Sequence, residues 1–347
     1  MNFEGLRVQI TQIDKTAEEN CLKRWNSIAK PSGGLGVLEH QIVRLAALLG
    51  SENIDISKRA VVVLCSDNGV SKYDTDNATP KTTALLAENM ALGLASVCCV
   101  AKNVGAEVFP VDIGMKEHPH ISGLLDFSVG EGTEDITISA AMTEQQCKNA
   151  IEAGIELIKN LKASGYNLIA TGEMGMGNSV SAAALSCALT GVSAEEAAGR
   201  NFNLSAERLA RRCECVEKAV SRCKGETDTF KILCQLGGFD TAAMVGMYIG
   251  GAIYNCAVLI DGFISAAAAL IAVRLLPECK KAMFATHLCC EPAAMLLLNK
   301  LDFFPMINAG VCIGDGTGAV AAIPLFDMAL SVYKKMPTFK QIGLSAY

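Results

Sequence analysis

The 347-residue sequence has fifteen cysteines but no Cys-x-x-Cys pair, and its four histidines (His40, His118, His120 and His287) do not fall at zinc-ligand spacing. The short-range zinc frameworks are therefore missing, and the cysteines read as reduced thiols serving as small core residues. Basic charge is not in surplus: 30 Lys and Arg stand against 36 Asp and Glu, scattered along the chain. That excludes the basic face that nucleic acid requires. No glycine turn is closed by Gly-Lys-Ser/Thr, so there is no Walker A loop, and the spacing Gly-x-Gly-x-x-Gly of a dinucleotide fingerprint is absent as well. The first twenty residues, MNFEGLRVQITQIDKTAEEN, are polar and carry no apolar signal core, from which a cytoplasmic protein is expected. Internal repeats and low-complexity linkers are also lacking.

What remains is a chain that is 51% hydrophobic and 19% charged, enough to bury a large core and too apolar for disorder. Residues 37–50 place Leu38, Ile42, Leu45 and Leu49 at helical spacing before Gly50. Five short runs rich in β-branched residues follow, at 60–66, 106–112, 167–171, 257–261 and 282–286, separated by Ala-rich helical segments. Strands without polar alternation predict an α/β fold with a Rossmann-like parallel sheet covered by helices on both faces. A large α/β domain is expected over 55–290, with a smaller helical domain built from both chain ends, 1–54 and 291–347. Residues 241–273 hold one formal charge, Asp261. Gly250, Gly251, Asn255 and Gly262 cut this stretch, so helix, strand, turn and helix explain it better than membrane spans.

Ligands of parallel sheets bind past the carboxyl ends of the strands, where acidic and Gly-rich turns cluster here. In TGEMGMGNSVSAAA (171–184), a strand ends and a helix begins near Ser179. The free N–H groups of such a helix start favour an anion, and Gly175 and Gly177 would clear side chains from a ligand's path. Glu173 would then accept hydrogen bonds from sugar hydroxyls beside a phosphate. The plain alternative is a tight turn with a capping acid. A second turn of the same kind, in NAGVCIGDGTGAVAAIPLFDMAL (308–330), puts Asp315 between Gly314 and Gly316, ahead of Thr317. Alone it reads as a helix cap; together the two turns read as a site. Arg211 and Arg212 lie on a helical segment whose arginines usually face solvent, although one could reach phosphate. EHPH (117–120) reads as a surface loop and His287 as a buried structural histidine.

These motifs, in this order, resemble the nicotinate-nucleotide–dimethylbenzimidazole phosphoribosyltransferase family nearly end to end. The resemblance is carried by KPSGGLGVLE (30–39), SDNGV (66–70), ATPKTTA (78–84), VDIG (111–114), GEGT (130–133) and AAMT (140–143). It continues through TGEMGMGNSVSAAAL (171–185), LGGFDTAAMVG (236–246), DGFISAAAAL (261–270), THLCCEP (286–292) and GDGTGA (314–319). The resemblance implies transfer of 5-phosphoribose from nicotinate mononucleotide to an aromatic acceptor, with inversion at the anomeric carbon and no metal or organic cofactor. It also implies a dimer, with no nucleic-acid or membrane partner. By the same resemblance Asp315 is the catalytic base and Glu173 serves the ribose. Gly175, Gly177 and the helix start at Ser179 hold phosphate, with Arg212 where relatives carry a phosphate-binding lysine. Gly314, Gly316, Thr317 and Cys289 complete the substrate site. The acceptor pocket draws on Asn77, Leu85 and Met174.

Departures from the family pattern set further expectations. Asp315 replaces the usual glutamate, Asn68 the usual histidine, and GRNFNLS (199–205) a Gly/Thr-rich phosphate loop, while the acceptor stretch lacks the usual Ser and Gln. The acceptor is accordingly open among benzimidazoles, purines and phenols. The chain is expected as a homodimer, or as one half of a heterodimer with a paralogue. The alternative function is a weakly catalytic or binding subunit paired with an active homologue. A phosphoribosyltransferase that uses a pyrophosphorylated sugar is disfavoured, because no apolar run ends in two acids.

Overall fold

The computed structural model describes residues 2–74, 81–119, 121–199 and 205–345. Its centre is a six-stranded sheet, β1 (Arg59–Ser66), β2 (Ala106–Gly114), β3 (Leu125–Asp126), β4 (Leu168–Met174), β5 (Ala257–Ile260) and β6 (Met283–Ala285). All pairings are parallel, in the order β3-β2-β1-β4-β5-β6. This is the doubly wound order, which reverses direction between β1 and β4 and opens a crevice there. Every residue of β1 is buried. Successive side chains point to opposite faces, so helices cover both faces and the strand has no reason to alternate. The five β-branched runs of the sequence become β1, β2, β4, β5 and β6. The two-residue β3 went unread because so short and exposed a strand carries no hydrophobic pattern.

The apolar stretch 241–273 folds inward. Helix Phe239–Ile253 is almost wholly buried, β5 follows, and helix Phe263–Leu275 completes the unit. At 15 and 13 residues both helices fall short of the roughly 20 residues that span a bilayer. Helical residues Lys81–Asn103 have the length and hydropathy to cross a membrane, but they are two helices, Lys81–Ala91 and Ser96–Asn103.

The chain ends pack on each other. Trp25 of helix Lys15–Ser27 stacks at a tilt on Tyr333 of helix Thr317–Lys335, with ring centroids 5.2 Å apart. The Arg24 guanidinium donates to the Tyr333 and Met336 carbonyls at 3.1 and 2.8 Å. Helix Thr317–Lys335 also lies on the sheet unit, where Arg59 makes a bidentate pair with Asp327 at 2.7 and 2.8 Å. The buried apolar side chains of these elements and of the sheet form one continuous core.

The thiols need one correction. Thirteen cysteines are free and all but Cys99 and Cys213 are buried, as core residues should be. Cys290 and Cys312, however, are joined in a disulfide, their Cα atoms 5.6 Å apart. Nothing in their 22-residue separation signals this pairing; two loops brought together at the sheet edge create it.

Candidate active site

The site grows from the carboxyl ends of β4 and β5. β4 runs out through Gly172, Glu173 and Met174, and the 314–316 turn lies directly on it. A Cβ on Gly172 would sit 2.5 Å from the Asp315 carbonyl oxygen, so only glycine lets the two segments meet. The Glu173 N–H donates to the Gly314 carbonyl at 2.9 Å. The two acidic turns found in the sequence are thus one assembly, although Glu173 and Asp315 are 142 positions apart in the chain.

Their carboxylates face opposite sides of that turn. Glu173 looks into a cleft of about 160 Å³ that it shares with Asn178, Ser179, Asp261, Cys289 and Glu291. Asp315 lies on the other side, 3% exposed, and is absent from the residues lining the cleft. Its Oδ2 accepts from Ser96 Oγ at 2.7 Å and from the Val97 N–H at 3.3 Å. Its Oδ1 accepts from the Thr317 N–H at 3.1 Å and from Thr317 Oγ1 at 2.5 Å. It therefore caps two helix starts at once, Ser96–Asn103 and Thr317–Lys335.

Glu173 is embedded among acids. Its carboxylate accepts from the Asn178 side-chain amide, and the same nitrogen donates to Asp240 Oδ2 at 3.1 Å. Asn178 is thereby the shared donor of two buried carboxyl groups. Burial first, then the nearby Asp240, Asp261 and Asp315, push Glu173 well above the ordinary carboxylate range, against the Asn178 bond. Burial pushes Asp240 up to about 6. Asp261 is pushed up to about 8, mainly by burial, while its two oxygens accept from the Ala319 N–H at 2.7 Å and the Gly316 N–H at 3.2 Å. Asp261 thus anchors the start of helix Thr317–Lys335 to the end of β5.

These raised acids have a stability consequence. The folded state keeps protons that the unfolded chain gives up near pH 4, so the contribution of these acids is lost as pH rises from there through about 8. Buried His287, held down to about 4, acts in the opposite sense only up to its unfolded value of about 6.5. His118, raised by its 2.6 Å pair with Asp112, adds to the same fall. The melting temperature of the wild type is therefore expected to drop between pH 6 and 8, and that of Asp261→Asn to drop less. Equal slopes in differential scanning fluorimetry would remove Asp261 as the cause.

Two helix starts open on the cleft. Helix Asn178–Thr190 begins one residue before the predicted Ser179, after Gly177 in the left-handed region at φ 85°. Helix Phe263–Leu275 begins after Gly262, and Phe263, Ile264 and Ser265 line the same cleft. The glycines play a different part from the one the sequence suggested. Ser66 of β1 occupies the space a Cβ on Gly175 would need, and a Cβ on Gly177 would lie 2.8 Å from the Ser71 nitrogen. The room was cleared for the chain itself, which packs β1 and its turn against β4.

The remaining candidates are dispersed. Arg212 is buried in helix Ala206–Arg222 and does not line the cleft. Cys289 lines it, and burial drives its thiol far up. Gly314 lines the cleft, whereas Gly316 gives its N–H to Asp261. Met174 is half-buried and Leu85 is 56% exposed on helix Lys81–Ala91. Asn77 and His120 lie outside the described residues, as do residues 200–204 of the replaced phosphate loop. His287 is buried and held down to about 4 by that burial, far too low to carry charge at neutral pH. Asn178, Asp240, Asp261 and Glu291 were missed as site residues. Asp261 had a legible signal as the single charge of a 33-residue apolar stretch.

The cleft is smaller than the roughly 300–1,000 Å³ of typical ligand pockets and suits one part of a nucleotide. A larger cavity of about 500 Å³ lies near the amino end of β6, lined by His40, Arg44, Lys280, Lys281 and Phe303. That is the wrong end of a parallel sheet for the usual ligand position.

A family model described as phosphoribosyltransferase matches residues 10–344. A curated protein of Acetivibrio thermocellus named nicotinate-nucleotide–dimethylbenzimidazole phosphoribosyltransferase is 36% identical over 100% of this chain and 99% of its own length. A protein of the same name from Escherichia coli is 33% identical, covering 94% of this chain and 92% of that one. The crystal structure of CobT from Thermus thermophilus superposes with a TM-score of 0.89 at 32% identity, over 96% of this chain and 100% of that chain.

Proposed function

The chain belongs to the phosphoribosyltransferase family that includes the nicotinate-nucleotide–dimethylbenzimidazole enzymes, and on that premise we propose that it moves 5-phosphoribose from nicotinate mononucleotide to an aromatic lower-ligand acceptor for cobamide biosynthesis. The products are an α-riboside 5′-phosphate and nicotinate. The observation that carries this reading is the cleft where Glu173 meets two helix starts. The helix starts supply N–H groups and positive dipole ends for a phosphate. Glu173, in its ionised form, supplies negative charge a short way off, the form that burial and the neighbouring acids disfavour in the free protein.

The chemistry asks for that arrangement. The C1′–N bond of the donor breaks with its electrons going to the pyridinium nitrogen, which becomes neutral and leaves without protonation. The sugar gains positive charge as this happens, and a buried carboxylate beside it stabilises that charge strongly in a dry site. The acceptor attacks C1′ from the opposite face, inverting the anomer, and gives up its proton. We assign Glu173 to the sugar by its place in the cleft, and Asp315 to the acceptor proton by the family resemblance alone, since its carboxylate lies outside the cleft on the far side of the 314–316 turn. Ser96 and Thr317 hold the Asp315 carboxylate by hydroxyl bonds, which can rotate toward an arriving acceptor.

The finer parts belong to the same proposal: a cytoplasmic dimer, homomeric or with a paralogue, and an acceptor drawn from benzimidazoles, purines or phenols. The test incubates the chain with nicotinate mononucleotide and members of each acceptor class. Free nicotinate and the new riboside, followed by mass spectrometry, should appear together in equal amounts. No product with any acceptor would sink catalysis by this chain alone and leave the weakly catalytic, paired subunit as the reading.

A further inference from the structure

The disulfide found at the sheet edge sits in the wall of the cleft. Cys289 and Glu291, on either side of Cys290, line the cleft, and so do Ile313 and Gly314, which follow Cys312. The S–S bond therefore pins together the two segments that form this wall. Otherwise they are held near the bond by the Cys290 N–H to the Val311 carbonyl at 3.2 Å and the Leu288 N–H to the Ile307 carbonyl at 2.8 Å. Gly314 in turn receives the Glu173 N–H, so the order of the pinned segment reaches the acid in the cleft. Cys312 is exposed and Cys290 half-buried. Among the free cysteines, only Cys99 and Cys213 are not buried.

We propose that Cys290 and Cys312 form a reversible oxidation site addressed by small-molecule disulfides, and that its state sets how firmly the cleft wall is held. The exposed Cys312 thiolate attacks one sulfur of a small disulfide, giving a mixed disulfide and releasing one small thiolate. The Cys290 thiolate then attacks the Cys312 sulfur, closing the protein disulfide and releasing the second. Two protein thiols lose two electrons and two protons, and the small disulfide gains both. Cα atoms 5.6 Å apart lie within the span a disulfide bridges. The oxidised form pre-organises residues 311–314 against Glu173, and the reduced form must order them on binding.

The inference rests on the proposed nucleotide site, but its test separates the two. The full chain is equilibrated with oxidised or reduced glutathione, its free thiols are alkylated, and the linked Cys290–Cys312 peptide is quantified by mass spectrometry. Nicotinate mononucleotide binding is measured calorimetrically on the same samples, with Cys312→Ser as the locked-open variant and Cys99→Ser as the control. The linked peptide should form and disappear reversibly, with Kd about 3- to 10-fold lower in the oxidised form. Cys312→Ser should bind like the reduced wild type under both conditions. A bond that glutathione cannot open in the native chain, or equal Kd in both states, overturns the proposal. So does reduced protein whose Cys290 and Cys312 are held by zinc together with Glu291. Reversible linkage and a shifted Kd without turnover would instead sink the transferase reading and leave the oxidation site standing.

Discussion

Glu173→Gln is expected to lower kcat/KM for nicotinate mononucleotide by about 100- to 10,000-fold while leaving the fold intact, since a positioned charge in a dry site supplies that much. The substitution keeps the shape and an oxygen for the Asn178 amide, and removes only the ability to ionise. Stability should hold or rise at pH 8, because a buried carboxyl crowded by Asp240 and Asp261 resists ionisation there. The pH profile discriminates further. Glu173 is raised in the free protein, so kcat/KM of the wild type should climb as pH increases through its pKa, and the variant should lack that limb. Asp315→Asn should lose turnover to a similar degree but retain the limb. An active Glu173→Gln protein with the wild-type profile would remove Glu173 from the chemistry.

Gly172→Ala is expected to abolish turnover by a different route. The added Cβ would meet the Asp315 carbonyl oxygen at 2.5 Å and its carbon at 2.6 Å. Both are backbone atoms, so no side chain can swing away, and the 314–316 turn must lift off β4. Overpacking of this kind costs about 1–3 kcal/mol. The larger loss is functional, because a misplacement of about 1 Å can cost roughly 100-fold, and this one moves Glu173 and Asp315 apart. The variant should unfold at lower denaturant concentration with an unchanged slope and release no measurable nicotinate. A stable, active Gly172→Ala would show that the two turns need not touch.

The architecture was legible because its signals are local. Fully buried parallel strands must be apolar on both faces, and the five longer ones stand out as β-branched runs between Ala-rich helices. The apolar 241–273 stretch carried its own breaks at Asn255 and Gly262, which mark where helix gives way to strand and strand to helix, whereas Gly250 and Gly251, read as breaks too, lie inside helix Phe239–Ile253. The two acidic glycine turns could be found for the same reason: each is a short pattern at a strand or helix end.

Whatever depends on which segments touch lay beyond that reading. Gly175 and Gly177 looked like gaps for a ligand, since a missing side chain does not record what fills its place; Ser66 and Ser71 do. Asn178 and Asp240 carry no unusual local signal, and they matter only because the fold brings one amide between two carboxyl groups. The Cys290–Cys312 bond likewise exists only where two loops meet. The sequence alone determined the layered parallel sheet and the two acids at its carboxyl edge, through periodicity and turn chemistry. Tertiary structure decided that Glu173 faces the cleft while Asp315 caps helices behind it, because the direction of a side chain follows from contacts between segments that the order of residues does not encode locally.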